Sequence, residues 1–229
     1  MLAKLVGILF VVLLVAGVPT LSFVTARRAD IRLLPRLDLY LSAALSQWLL
    51  ASLGVLVVVT TGPGLRATGF RAVAAGPIIS WTTILTLISL TALGLVVLLE
   101  RLNWFPKEPE LVRLLMPRTR REKLLAVVLL APTAALCEEF LYRGYMLNQL
   151  LAWGISVPGA WAGSSVAFGM AHAYQGWNGM ARAALLGGLL ALPVVRLGSL
   201  YPSIVAHFLI DAVALVWLGP RFLRSETGE

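Results

Sequence analysis

The sequence predicts an all-α fold, a polytopic membrane bundle of about seven transmembrane helices. Three observations lead there. Of the 229 residues, 59% are hydrophobic and only 13% are charged, whereas a soluble domain is roughly 45–50% apolar and about 25% charged. Mean hydropathy is +0.87. The apolar residues also fall in runs near the ~20 residues that a helix needs to cross a bilayer, with most basic residues between the runs.

Residues 5–24 form the first expected span. Val24-Thr25-Ala26 resembles a signal-peptide cleavage site. However, only Lys4 precedes the run, while Arg27, Arg28, Arg32 and Arg36 follow it. That pattern suits a retained helix with its N terminus outside. Residues 39–61 are the second span, closed by Gly62-Pro63-Gly64, because Pro and Gly break helices. A linker with Arg66 and Arg71 leads to the third span, 78–99.

Residues 100–123 are the longest polar segment and hold Arg101, Lys107, Arg113, Arg118, Arg120, Arg121 and Lys123. Within it, 109–116 fit either a plain basic loop or a short amphipathic helix on the membrane surface with Pro109 at its first turn. The fourth span, 124–153, contains Pro132, which is expected to kink it. Gly154 to Pro158 make a turn. The fifth span, 159–174, carries Gly159, Gly163, Ser164, Ser165 and Gly169. Small residues allow close helix approach, so this helix is expected at the centre. A loop at 175–179 precedes the sixth span, 180–195, and the seventh, 200–218, ends at Gly219-Pro220.

The expected organisation is therefore three helices and a basic cytoplasmic loop over 1–123, a four-helix core over 124–220, and a short cytoplasmic tail over 221–229. With seven spans, most of the 19 Lys and Arg fall on the side of the 27–36, 101–123 and 175–182 loops and the tail. The richer side faces the cytoplasm. The expected location is thus a cell membrane, with the N terminus outside and the C terminus cytoplasmic. Small size and short loops point to a prokaryote.

The net charge of +8 would suggest nucleic acid in a soluble protein. No nucleic-acid motif accompanies it, so the lipid bilayer is the expected partner of these charges. The single cysteine, Cys137, forbids an internal disulfide and a Cys-rich zinc site. It reads as a small apolar filler.

The fourth span contains Cys137-Glu138-Glu139-Phe140-Leu141-Tyr142-Arg143-Gly144. A charge at the centre of a membrane helix costs about 2.5–3.5 kcal/mol on insertion scales, so three such groups mark a functional site. On an α-helix Glu139 and Arg143 share a face with the acid first, the favourable order for a pair. Glu138 is rotated by about 100° from Glu139 and needs other partners. Those in reach of the pattern are Phe168-Gly-Met-Ala-His172 and His207-Phe-Leu-Ile-Asp211, which contain the only two His in the chain.

These three elements resemble the signature of the CAAX-protease and bacteriocin-processing (CPBP) family of intramembrane proteases: Glu-Glu-x-x-x-Arg, then Phe-x-x-x-His, then His-x-x-x-Asn or Asp. The resemblance covers roughly residues 124–218. It implies peptide-bond hydrolysis on a membrane-associated peptide or protein substrate, either a prenylated CAAX-like protein or a bacteriocin or signal peptide. Glu138 is then the general base that activates a water, with His172, His207 and Asp211 in the site. Glu139 and Arg143 form a supporting ion pair, and Phe168 shapes the pocket wall.

Two chemistries stay open. Glu138, His172 and His207 give three ligands with one open position, as a catalytic zinc needs. Without metal, His172 helps Glu138 orient the water while His207 and Asp211 stabilise the oxyanion. For Asp211 that requires a neutral acid or action through His207, since a bare carboxylate would repel an oxyanion, whereas Asn, the commoner residue there in the family it resembles, would donate directly. Two other classes compete with the protease: a transporter using the same buried groups as a proton relay, and a non-catalytic immunity or binding protein. Other intramembrane protease signatures are absent. There is no His-Glu-x-x-His and no Gly-x-Gly-Asp, and Gly163-Ser164-Ser165 lacks the Gly that follows a rhomboid serine.

Overall fold

The computed structural model describes residues 2–61, 64–104 and 109–218. The expected helix stops at Gly62-Pro63 and Gly219-Pro220, Lys107 and the tail over 221–229 lie outside the described residues. Among these residues there are eight helices and no strand: α1 Leu2–Ala26, α2 Arg36–Thr61, α3 Ala75–Arg101, α4 Glu110–Leu115, α5 Arg120–Ala152, α6 Val157–Ala171, α7 Gly176–Leu197 and α8 Tyr201–Trp217. The chain is an all-α polytopic membrane protein.

The helices α1, α2, α3, α5 and the stretch Ala173–Leu197 around α7 are long and apolar enough to span a bilayer. The fifth and seventh expected spans are shorter. α6 has 15 residues, about 22 Å at 1.5 Å per residue, against a hydrocarbon core of about 30 Å. It stops where His172 closes its last turn (His172 N–H to Gly169 O, 3.0 Å). A single 3₁₀ turn, Ala173–Gln175, and Gly176 at positive φ (69°) then start α7 at once. The expected 175–179 loop is thus largely helix.

α5 begins four residues before the apolar run, and the reason is a capping box. Thr119 Oγ1 accepts from Glu122 N–H (3.1 Å), and Glu122 Oε2 accepts from Thr119 N–H (2.9 Å). Pro132 does not end this helix. Ala126–Leu130, just before it, widens into a π-helical turn, and α-helix resumes with Pro132 in its first turn. A second π-helical stretch, Glu139–Met146, carries the charged motif. The Glu139 and Arg143 pair therefore sits on π-helix rather than on the expected α-helix. Short π segments inside α-helices occur often at functional sites.

The other helices wrap α5. α1 and α2 cover one side, where Phe10, Leu14, Ala51 and Val58 pack with Phe140, Leu141 and Tyr145. Tyr145 also donates to Gly7 O (3.3 Å). α6 and α7 press together at Gly169, where any Cβ would lie 2.6 Å from Met180 O and 2.7 Å from Ala184 Cβ. The small-residue stripe of α6 does serve close packing, as expected. α8 lies between α3 and α5, with Leu85, Leu190, Ala206 and Ile210 in one cluster. The surface helix α4, with Pro109 as its N-cap, is tied to the start of α2: Arg36 donates to Leu114 O (2.9 Å) and Tyr40 OH to Leu115 O (2.8 Å).

Candidate active site

α5, α6 and α8 bring Glu138, His172, His207 and Asp211 to one place. Glu138 Oε2 stands 4.0 Å from His172 Nε2 and 3.8 Å from His207 Nε2. Asp211 Oδ2 is 3.5 Å from His207 Nε2. Both ring orientations are set from behind. His172 Nδ1 lies 2.8 Å from the Phe168 carbonyl, which can only accept, so Nδ1 carries the hydrogen and Nε2 faces Glu138. His207 Nδ1 lies 2.7 Å from Glu139 Oε1, the carboxylate–histidine arrangement that fixes ring and tautomer.

Behind this group lies a fully enclosed ion pair. Arg143 Nη1 is 3.1 Å from Glu139 Oε1, and both side chains have zero exposure. The guanidinium also sits 3.9 Å from the centre of the Phe168 ring, a cation–π contact, and Arg143 Nε donates to Gly187 O (3.4 Å). Glu139 thus holds two cation-type partners, Arg143 as expected and His207 in addition. Phe168 does more than line a wall: it meets Arg143 with its ring face, His172 edge-on at 4.6 Å and His207 at 6.2 Å. Gly187 on α7 makes room for them, since a Cβ there would lie 3.0 Å from the Phe168 ring and 3.1 Å from Arg143 Nη2.

One contact had not been read from the sequence. Gln47 on α2 donates through Nε2 to Glu138 Oε1 at 2.8 Å. Its neighbour Trp48 donates to Thr133 Oγ1, also on α5, at 3.1 Å. The signal was present: Gln47 is an uncharged polar residue deep in an apolar run. It lacks a motif, however, and hydropathy alone passes over it. Beside these contacts a cavity of about 470 Å³ is lined by Trp48, Ala51, Val55, Leu136, Cys137 and Phe140.

The same geometry tests the zinc option. Both nitrogens of His207 face carboxyl groups, Glu139 on one side and Asp211 with Glu138 on the other. Among the described residues no three His, Cys, Asp or Glu side chains group closely enough to hold a metal ion.

Residues 120–213 match the family model of the Rce1-like type II CAAX prenyl endopeptidases. The likeness is confined to this segment, less than half of the chain. The match spans α5, α6, α7 and most of α8, and it contains all three motifs that carry the CPBP resemblance. The Rce1-like segment makes the chain a protease that hydrolyses peptide bonds, embedded in a membrane. Gln47 and the rest of α1 to α4 lie outside it. Neither the curated proteins nor the solved structures gave a match to this chain.

Proposed function

We propose that this intramembrane endopeptidase cleaves a lipidated, CAAX-type peptide with a water activated by Glu138. The observation that carries the reading is the spacing of Glu138 Oε2 from the two His Nε2 atoms, 3.8 and 4.0 Å. That is too long for a direct hydrogen bond and suits one water held between them. Glu138 takes a proton from this water while its oxygen attacks the scissile carbonyl, and His172 Nε2 orients it as an acceptor. The substrate type is supported by the family match and by the apolar cavity beside Cys137 and Phe140, which is of a size and polarity for an isoprenoid chain.

Hydrogen-bond accounting supplies the second half of the reaction. His207 Nδ1–H is committed to Glu139, so Nε2 faces the Glu138 and Asp211 carboxyl groups. Three acceptors cannot face each other bare, so one proton is shared among them. In this reading that proton hydrogen-bonds the tetrahedral oxyanion. When the C–N bond breaks, the leaving nitrogen takes up the proton gained by Glu138. The products are a carboxylic acid and an amine, which exchange one proton to leave as carboxylate and ammonium, and no cofactor enters the balance.

The test is release of the C-terminal fragment from a farnesylated CAAX-type peptide by the purified full chain in detergent. Glu138→Gln keeps the shape and removes the base, and the expected loss is on the order of 10²–10⁴-fold in kcat. Full activity in this variant would remove Glu138 as the base. Equal cleavage of the farnesylated and unmodified peptides would remove the lipid from the substrate.

A further inference from the structure

We infer that Gln47, contributed by α2 from outside the Rce1-like segment, is a positioning residue that holds Glu138 for catalysis. The inference rests on the protease reading above and adds a participant to its site. The buried face of α2 repeats at helical spacing: Tyr40, Ala44, Ala51, Gly54 and Val58 turn towards the bundle, and Gln47 falls on the same stripe between Ala44 and Ala51. It is the polar member of a face otherwise built from an aromatic ring and small or apolar side chains. Its amide Nε2 reaches Glu138 Oε1 at 2.8 Å.

That bond divides the work of the carboxyl group. Oε1 is anchored to α2, while Oε2 is left towards His172 and His207. Without the amide, Glu138 is free to rotate about its last torsion, and a carboxyl terminal torsion is broad. The anchor is itself fixed, because the next side chain, Trp48, clips α2 to Thr133 on α5. Two consecutive α2 residues thus hold α5 a little more than a helical turn apart.

A purely structural role does not account for the amide. Gln47 Oε1 is buried and has no hydrogen-bond partner among the described residues, and an unpaired buried acceptor is a cost to folding. A methionine of similar length would fill the stripe without it. The residue is better explained by what its N–H group does to Glu138.

Three variants of the full chain in detergent test this, with a farnesylated CAAX-type peptide as the probe. Gln47→Met keeps the length and removes the donor. Its kcat is expected to fall about 10- to 100-fold with KM unchanged, the scale of a misplaced reacting group, and its thermal midpoint is expected to hold. Gln47→Glu is expected to recover activity relative to wild type as pH falls, because the introduced carboxyl donates to Glu138 only when protonated. The charged and titratable groups facing Glu138 are His172 from α6, His207 and Asp211 from α8, and Cys137, Tyr142 and Arg143 from α5. All are common to both proteins, so the ratio isolates position 47.

The third variant, Glu138→Gln, serves two purposes. It assigns the infrared carboxyl bands of Glu138, which are expected to shift in Gln47→Met. Unchanged kcat and unchanged bands in Gln47→Met would overturn the inference and leave the protease reading intact. Cleavage that survives Glu138→Gln would overturn that reading instead, and the bands would still decide whether Gln47 holds Glu138.

Discussion

Glu138 and Glu139 are neighbours in the chain and live in opposite surroundings. Glu139 is sealed: it has zero exposure, an arginine at 3.1 Å and a histidine at 2.7 Å. Glu138 keeps some exposure and has one direct hydrogen bond, from Gln47, with its second oxygen about 4 Å from two imidazoles. In the first, one oxygen, Oε1, takes both partners, and the carboxylate is closed off from solvent. The second is anchored on one side and free to react on the other. The comparison separates holding from doing within one turn of helix. A buried charge enclosed between an arginine and a histidine fixes geometry, and a charge with one side open is available for chemistry.

The sharpest break of the comparison is to neutralise each acid in turn. Glu138→Gln is expected to remove cleavage by the 10²–10⁴-fold given above while leaving the thermal midpoint near that of the wild type, since its amide can still face Gln47 and water. Arg143→Met attacks the other side. It strands Glu139 with only His207, and breaking one partner of a buried pair costs about 3–5 kcal/mol. The expected result is a large fall in thermal midpoint, read by unfolding in detergent. A stable Arg143→Met protein that no longer cleaves would make the sealed pair part of the chemistry and erase the distinction.

Gly187→Ala probes the same sealed region more gently. The added methyl meets the Phe168 ring at 3.0 Å and Arg143 Nη2 at 3.1 Å, and both are locked by packing. Overpacking of this kind costs about 1–3 kcal/mol. The midpoint should drop by less than in Arg143→Met, with kcat per folded molecule retained. A loss of kcat without a loss of stability would mean that Phe168 passes small displacements on to His172.

Much of this was legible in the sequence. The spans around 5–24, 39–61 and 78–99 show as helices because hydropathy reports lipid-facing surface directly. The acidic motif and the two His segments were legible because charge in an apolar run is costly and therefore sparse. What was not legible has physical causes. The π-helical form of Glu139–Met146 leaves no mark in residue type, since it is a choice of hydrogen-bond register. The early start of α5 lay in a polar capping box that hydropathy assigns to a loop. The lengths of α6 and α7 turned on a glycine at positive φ, Gly176. Gln47 stayed hidden because it acts across about ninety residues of chain, where spacing arguments within one helix have no reach.

Asp211 sits on the boundary between the two environments, and it is the place where the smallest effect is expected. Its side chain is about a third exposed and lies 3.5 Å from His207 Nε2, so it touches the reactive group without being sealed with the anchor. If its part is to share a proton with His207 and Glu138, an amide can replace it, since the Asn side chain brings an N–H donor of its own. Asp211→Asn is therefore expected to keep kcat within about an order of magnitude of wild type, well short of the loss from removing a general acid or base. Its stability should change by no more than an ordinary surface substitution does, about 0.5 kcal/mol. A loss as deep as that of Glu138→Gln would show that the carboxyl itself gives or takes the proton. Asp211 would then join Glu138 as a reacting acid, with His207 the link between them.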